Sequence, residues 1–304
     1  MNSELLQKRG LSLERLHSFI RIAEAGGITR AADGDEKEVA KMRRQLGQLE
    51  AFFGVDLMVR TGKGMDLTDS GQELLRIVRH DLRLLEDFRA KCAGQPGVIR
   101  IAAGNSVIHW HLAPALGEIA KRLPGMRIEM RALRTFERVP AVRDLECDFA
   151  IVRRDAMTPK LKGKPLLAVS HRLVARRDLL ARAGIKDASQ LPGKLPLALP
   201  PEGDFRLHLN RAAARHGVDF NVMLHVTSFT MAARAARTGQ FAAILPHIAA
   251  GDFADKEFAV LPLPLLGNYA QHLQLCWNPA AIRVSQAAAA ALPALVELLR
   301  TDAR

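Results

Sequence analysis

Histidines, cysteines and nucleophilic hydroxyls are the side chains of this 304-residue chain that could do covalent or metal chemistry, and their spacing decides whether they do. His109-Trp110-His111 sets two imidazoles two positions apart. On a helix such residues face different sides, so they do not converge on a metal ion. Cys92, Cys147 and Cys276 are odd in number and far apart, which gives neither a disulfide framework nor zinc spacing. They read as spectator thiols. The sequence contains no G-x-S-x-G elbow, no phosphate-cradling P-loop and no His-Glu zinc helix. A binding protein without metal or resident cofactor is therefore expected, not an enzyme.

What could such a chain bind? Its formal charge of +12 suggests nucleic acid, but the distribution matters. Residues 1–92 carry 16 Lys and Arg against 15 Asp and Glu, whereas residues 93–304 carry 28 against 17. Net charge thus makes no case for the N-terminal segment, and any case must come from placement. No apolar run approaches the roughly 18 residues of a membrane helix. Met1 to Gly10 is polar and lacks the apolar stretch of a secretion signal, so a cytoplasmic location is expected.

The elements that must hold the binding residues follow from periodicity. Leu13, Leu16, Phe19, Ile20 and Ala23 recur at helical spacing, predicting an amphipathic helix from Leu13 to Ala25 that ends at Gly26-Gly27. Thr29 is expected to N-cap a short second helix through Arg30-Ala31-Ala32. A third helix carries Val39, Met42, Leu46, Leu49 and Phe53 and stops at Gly54. Leu57 to Arg60 and Met65 to Leu67 then read as two short strands around a turn with a basic tip, Thr61-Gly62-Lys63-Gly64. Three helices and a basic hairpin make a winged helix-turn-helix.

Several blocks in this segment resemble the signature of LysR-type transcription regulators. They are Leu16-His17-Ser18-Phe19, Ala23-Glu24-Ala25-Gly26, Ile28-Thr29-Arg30-Ala31-Ala32, Gln48-Leu49-Glu50, Gly54-Val55-Asp56-Leu57, Arg60-Thr61-Gly62-Lys63-Gly64 and Leu67-Thr68-Asp69-Ser70-Gly71, in order and without gaps. The resemblance implies a regulator that binds double-stranded DNA under the control of a small-molecule effector. Expected DNA contacts are Thr29, Arg30, Lys37, Lys41, Arg43 and Arg44 on the helices, with Arg60 and Lys63 on the wing. One departure stands out. Where the family enters its recognition helix with a leucine and small hydroxyl residues, this chain has Asp35 and then Glu38-Val39-Ala40-Lys41-Met42-Arg43. Asp33, Asp35, Glu36 and Glu38 suit the helix dipole but repel phosphates. Two readings stay open: unusual base reading with a glutamate accepting from cytosine, or an altered head that no longer reads DNA and acts through protein partners.

From Thr68 a helix is expected to run to about Cys92, with Leu74, Val78, Leu82, Leu85 and Phe88 as an apolar stripe. The resemblance makes it the linker that joins two chains into a homodimer, and pairing of effector domains would extend this to a homotetramer. The expected domains are 11–67 for the winged head, 68–92 for the linker and 93–304 for the effector domain. After the hinge composition Gly94-Gln95-Pro96-Gly97, strands and helices alternate, which points to a parallel α/β sheet. The resemblance implies a pair of Rossmann-like subdomains similar to periplasmic binding proteins, lobe I at about 97–167 and 270–304 and lobe II at about 168–269. Effector contacts fall by that resemblance on Ser106, Thr135, Gly203-Asp204-Phe205 and Thr227-Ser228-Phe229. Hydroxyls and backbone amides there suit an anion, whereas Asp204 opposes one, which leaves the effector's charge open.

Overall fold

The computed structural model describes residues 10–62, 64–185, 193–200 and 202–300. Lys63 at the tip of the wing lies outside the described residues. Two compact units are distinguished, one of Met1–Gln95 with Asp144–Glu146, the other of Pro96–Arg143 with Cys147–Arg304.

The first unit contains α1 (Leu13–Ala25), α2 (Ile28–Ala31), α3 (Glu36–Phe53), the hairpin β1 (Met58–Thr61) and β2 (Gly64–Leu67), and the long helix α4 (Asp69–Cys92). Phe19 and Ile22 of α1 meet Met42, Leu46 and Leu49 of α3 in a core closed by Ile28, Leu57 and Leu75. Within it, Ser18 Oγ donates to Gln45 Oε1 at 2.6 Å, so the one buried polar pair across this helix contact is satisfied. Thr29 does not cap α2. The cap position is Gly27, without a side-chain hydrogen bond, and Thr29 is the second residue of the helix. Glycine enters there because its φ of 158° follows Gly26 at 64°, and two hinging residues leave no room for a Thr cap.

The second unit holds two five-stranded sheets. In the first, the order is β4 (Met126–Ala132), β3 (Gly97–Ala103), β5 (Phe149–Arg153), β12 (Gln271–Trp277) and β6 (Lys162–Val169). In the second it is β11 (Phe258–Pro262), β7 (His171–Arg176), β10 (Ala242–Pro246), β8 (Leu197–Leu199) and β9 (Val222–His225). The first sheet is a two-sided layer. Ile99, Ile101, Phe149 and Ile151 turn to one core with α6 (Ala113–Arg122) and α12 (Gln286–Leu299). Ala102, Ala150, Val152 and Cys276 turn to the other, with α7 (Thr135–Arg143). This is the alternation a pleated strand imposes.

The sheets are mixed, which corrects the expectation of a parallel one. β3 pairs β4 and β5 in parallel, but β12 runs antiparallel to both β5 and β6. Likewise β7 runs antiparallel to β10 and β11. The cause is that the chain enters and leaves the second lobe through strands that cross between sheets. The first crossing falls at Ser170, between β6 and β7, a few residues beyond the expected position. Strand β11 is weakly marked in the sequence, because Phe258-Ala259-Val260-Leu261 is a short apolar run closed by proline, and it sits at a sheet edge where proline is tolerated.

Candidate nucleic-acid interface and effector cleft

Asp35 is the N-cap of α3: its carboxylate accepts from Lys37 N at 2.8 Å and Glu38 N at 3.2 Å. A leucine in that place would leave those amides unpaired, so the departure noted in the sequence has a structural use. Glu38 is also committed, lying 3.5 Å from Arg21 and 3.7 Å from Lys41. Lys41 in turn lies 3.2 Å from Glu14, which holds the Glu14 carboxyl below its ordinary range mainly through the Lys41 hydrogen bond. Of the four acidic side chains around the helix entrance, two therefore serve the head itself. Glu36 and Asp33 remain exposed.

The outward face of α3 is a stripe of Lys37, Ala40, Arg43, Arg44 and Gly47, all exposed. Neither Arg43 nor Arg44 enters an ion pair among the described residues. A slender stripe bearing two guanidiniums, with Ala and Gly between them, fits a major groove and can offer bidentate donors to guanine. Arg30 has a second occupation. Its guanidinium donates to Gly26 O, the carbonyl that also accepts from Met65 N at 3.0 Å. It thereby clamps the wing onto the end of α1, and it remains exposed. Arg60 is exposed on β1, and Thr29 on α2.

Helix α4 starts from Thr68, whose hydroxyl accepts from Gly71 N at 3.0 Å and donates to Asp56 O at 2.7 Å. The expected apolar stripe is divided. Leu74 packs on the core of its own unit, Val78 is 5% exposed, and Leu82 is half-buried. Leu85 and Phe88 are exposed at 55% and 64%, and Ile77, outside the stripe, at 42%. The early turns of α4 spend one face on their own domain, so the free apolar face is rotated onto Ile77, Leu85 and Phe88.

In the second unit several of the residues expected to contact an effector lie where the two lobes meet. α5 (Asn105–Val107) carries a half-buried Ser106, and after it a π-turn, Ile108–Leu112, leads into α6. The π-turn presents Trp110 to the core of the second lobe, among Val174, Ala198, Val226 and Ala232, and its indole donates to Asp252 Oδ2 at 2.8 Å. α10 (Phe229–Arg237) packs against α5, which brings Ser228 and Phe229 to the Ser106 side. Ser228 caps α10 by accepting from Met231 N at 3.2 Å, and its hydroxyl lies 2.8 Å from Thr230 Oγ1. Thr227 is exposed just before it. Phe205 is not open to a ligand. It is 5% exposed and stacks on His171 at 3.8 Å between centroids. Burial, then the nearby charges of His247, His208 and Arg172, push the His171 imidazole down to about 3.

Two arginines missed by sequence reasoning complete the cleft. Arg138, 9% exposed, donates to Ile151 O at 2.9 Å, to Thr135 Oγ1 at 3.0 Å and to Arg134 O at 3.4 Å. Arg153, at the end of β5, reaches Asp204 in the second lobe at 2.7 Å and Asp155 at 2.9 Å. Asp204 opens α9 (Asp204–Arg215), after an exposed Gly203 whose φ of 111° excludes most other residues. A cavity of about 450 Å³ adjoins, lined by Arg153, Arg154, Asp155, Tyr269, Ala270, Gln271 and His272. Nothing in the sequence near Arg138 signalled this placement; its burial depends on the β5 carbonyl it meets.

His109 lies 3.9 Å from Asp252, whereas the His111 ring is 2.9 Å from Leu299 O, so the two imidazoles diverge. Cys147 and Cys276 are buried and Cys92 exposed. Burial pushes the Cys276 thiol up to about 12. Among the described residues no helix is long and apolar enough to cross a membrane.

Comparison with known proteins adds the following. The family model described as bacterial regulatory helix-turn-helix protein, lysR family, matches residues 13–72, and the LysR substrate binding domain matches residues 93–303. The chain is 29% identical over 136 residues to the HTH-type transcriptional regulator PtxR of Pseudomonas aeruginosa, covering 43% of this chain and 44% of that one. It is 31% identical over 182 residues to TtuA of Agrobacterium vitis, covering 56% and 60%. These two matches thus span less than two thirds of the relatives' own length. With DgdR of Burkholderia cepacia the identity is 26% over 268 residues, covering 85% of this chain and 87% of that one. Among solved structures it resembles CbnR, a LysR family transcriptional regulator, with a TM-score of 0.64 at 19% identity, covering 96% of this chain and all of that one. ArgP from Mycobacterium tuberculosis gives a TM-score of 0.64 at 20% identity, covering 92% and 97%.

Proposed function

We propose that this chain, which belongs to the LysR family of bacterial transcriptional regulators, binds operator DNA as a homodimer and answers to a small molecule held between the lobes of its second unit. The observation that carries the DNA reading is the exposed stripe of α3. Arg43 and Arg44 stand there without intramolecular ion pairs among the described residues, while Asp35 is engaged as the helix cap and Glu38 in an ion pair with Arg21. The acidic entrance is thus partly neutralised before DNA arrives. CbnR has also been solved in complex with its target DNA, and that precedent supports assigning the same task to this head. A regulator rather than an enzyme, acting in the cytoplasm, is the corresponding reading of the whole chain.

Arg43 is assigned to a base edge and Arg44 to a phosphate. Fluorescence anisotropy on a selected DNA fragment and on a scrambled duplex tests this. Arg43→Ala should cost the selected fragment about 1–3 kcal/mol while changing the scrambled duplex little. Arg44→Ala should weaken both alike and reduce the salt dependence by about one ion. If both variants bind the selected fragment as tightly as the native chain, α3 is not the reading element.

Dimerisation is assigned to α4 through Ile77, Leu85 and Phe88, since three large apolar side chains gathered on one exposed helix face mark an interaction surface. Pairing of two effector units into a tetramer extends the same proposal.

A further inference from the structure

We propose that Asp204 is an internal stand-in for the carboxylate of a small organic acid, and that the acid displaces it to lie between Arg138 and Arg153. The proposal rests on reading this cleft as the effector site, and it names the class of effector.

The first observation is Arg138. Its side chain is nine-tenths buried, yet every hydrogen-bond partner it has is neutral: two backbone carbonyls and the Thr135 hydroxyl. A guanidinium stays charged at any ordinary pH, and a buried cation with no counter-ion at hydrogen-bonding distance is costly. Of its five N–H donors three are used. The Nη2 end looks toward Gly104, where an added Cβ would lie 3.4 Å away.

The second observation is where the compensating charge sits. After burial, which lowers the Arg138 pKa, the largest opposing influence is Asp204. Asp204 makes no hydrogen bond to Arg138. It spends its carboxylate on Arg153 at 2.7 Å, reaching from α9 in one lobe to β5 in the other. This ion pair is accessible, with side-chain exposures of 26% for Arg153 and 42% for Asp204, so a dissolved anion can compete for it. The adjoining cavity of about 450 Å³, with Tyr269 and Gln271 in its wall, has room for the rest of a small acid. A carboxylate already occupies the Arg153 position, so a second carboxylate can take over the same donor. Displacing Asp204 would also cut a lobe-to-lobe link, which gives occupancy a direct effect on how the lobes are held.

The test uses the full chain and isothermal titration calorimetry with benzoate and succinate. Benzamide and succinamide serve as neutral isosteres, and inorganic phosphate as the alternative anion. Removing the internal competitor with Asp204→Asn should tighten binding of one of the carboxylates by about tenfold, with the amides and phosphate remaining weak. Arg138→Gln should abolish the gain when combined with Asp204→Asn, and Arg138→Lys should retain part of it. If Arg138→Gln does not fold, the Asp204→Asn comparison decides alone. Carboxylates that bind neither form, or bind Asp204→Asn no tighter than the native chain, overturn the proposal. So does a preference for phosphate. Tight binding of an amide, indifferent to Asp204→Asn, overturns the carboxylate class and leaves the cleft as an effector site. Carboxylate binding of the expected pattern with no change in DNA affinity supports the anion site and counts against the effector reading alone.

Discussion

An added Cβ at Gly71 would lie 2.0 Å from the carbonyl oxygen of Leu57, so the chain that enters the wing and the helix that follows the wing meet at a distance only glycine allows. Gly71→Ala should destabilise the first unit by about 1–3 kcal/mol or more, read as a lower urea midpoint for its transition with an unchanged slope. His171 makes a second prediction at this scale. Its pKa is lowered from 6.5 to about 3, first by burial. The unfolded chain therefore takes up a proton before the folded one does. Stability from this residue is fully present above about pH 6.5 and is lost as pH falls toward 3, at about 1.4 kcal/mol per pH unit. His171→Phe, which keeps a ring against Phe205, should flatten the decline in melting temperature between pH 6.5 and 4.5. An unchanged slope would mean that other groups govern acid sensitivity. Single residues were unevenly legible in the sequence. Asp35 could be placed at a helix start because capping is local, whereas Arg138 could not be read as buried, because its burial is set by a strand thirteen residues away.

Helices were read more surely than strands, for the same reason of locality. The bounds of α1, α3 and α4 follow from apolar spacing and from Gly26, Gly54 and Thr68. Strand direction does not follow from spacing, and both sheets proved mixed because of where the chain crosses between lobes. In α4 the apolar period was visible, but the sequence could not say which part of it the helix's own domain would claim. The structure assigns Val78 inward and Ile77, Leu85 and Phe88 outward. Leu85→Lys with Phe88→Lys should thus give monomers by sedimentation at micromolar concentration, since like charges would meet across the seam. Val78→Lys should instead lower thermal stability, by placing an unpaired charge in a buried position. If the Leu85 and Phe88 double variant stays dimeric, the linker face is elsewhere.

For the whole molecule, the charge balance and the fold make separate statements. Residues 1–92 are nearly neutral in total, so attraction to DNA must come from how charges are placed, with cations on the outer face of α3 and carboxylates paired behind it. Two heads on one dimer would then add avidity to a modest affinity per head. Selection of genomic fragments by the purified full chain, at low and moderate salt, tests this most directly. The account predicts enrichment of fragments that carry an inverted repeat with half-sites about one helical turn apart, and a steep loss of retention as salt rises. No enrichment at low salt by the native chain, while Glu36→Gln with Glu38→Gln does enrich fragments, would contradict it, because the acidic entrance would then be blocking DNA.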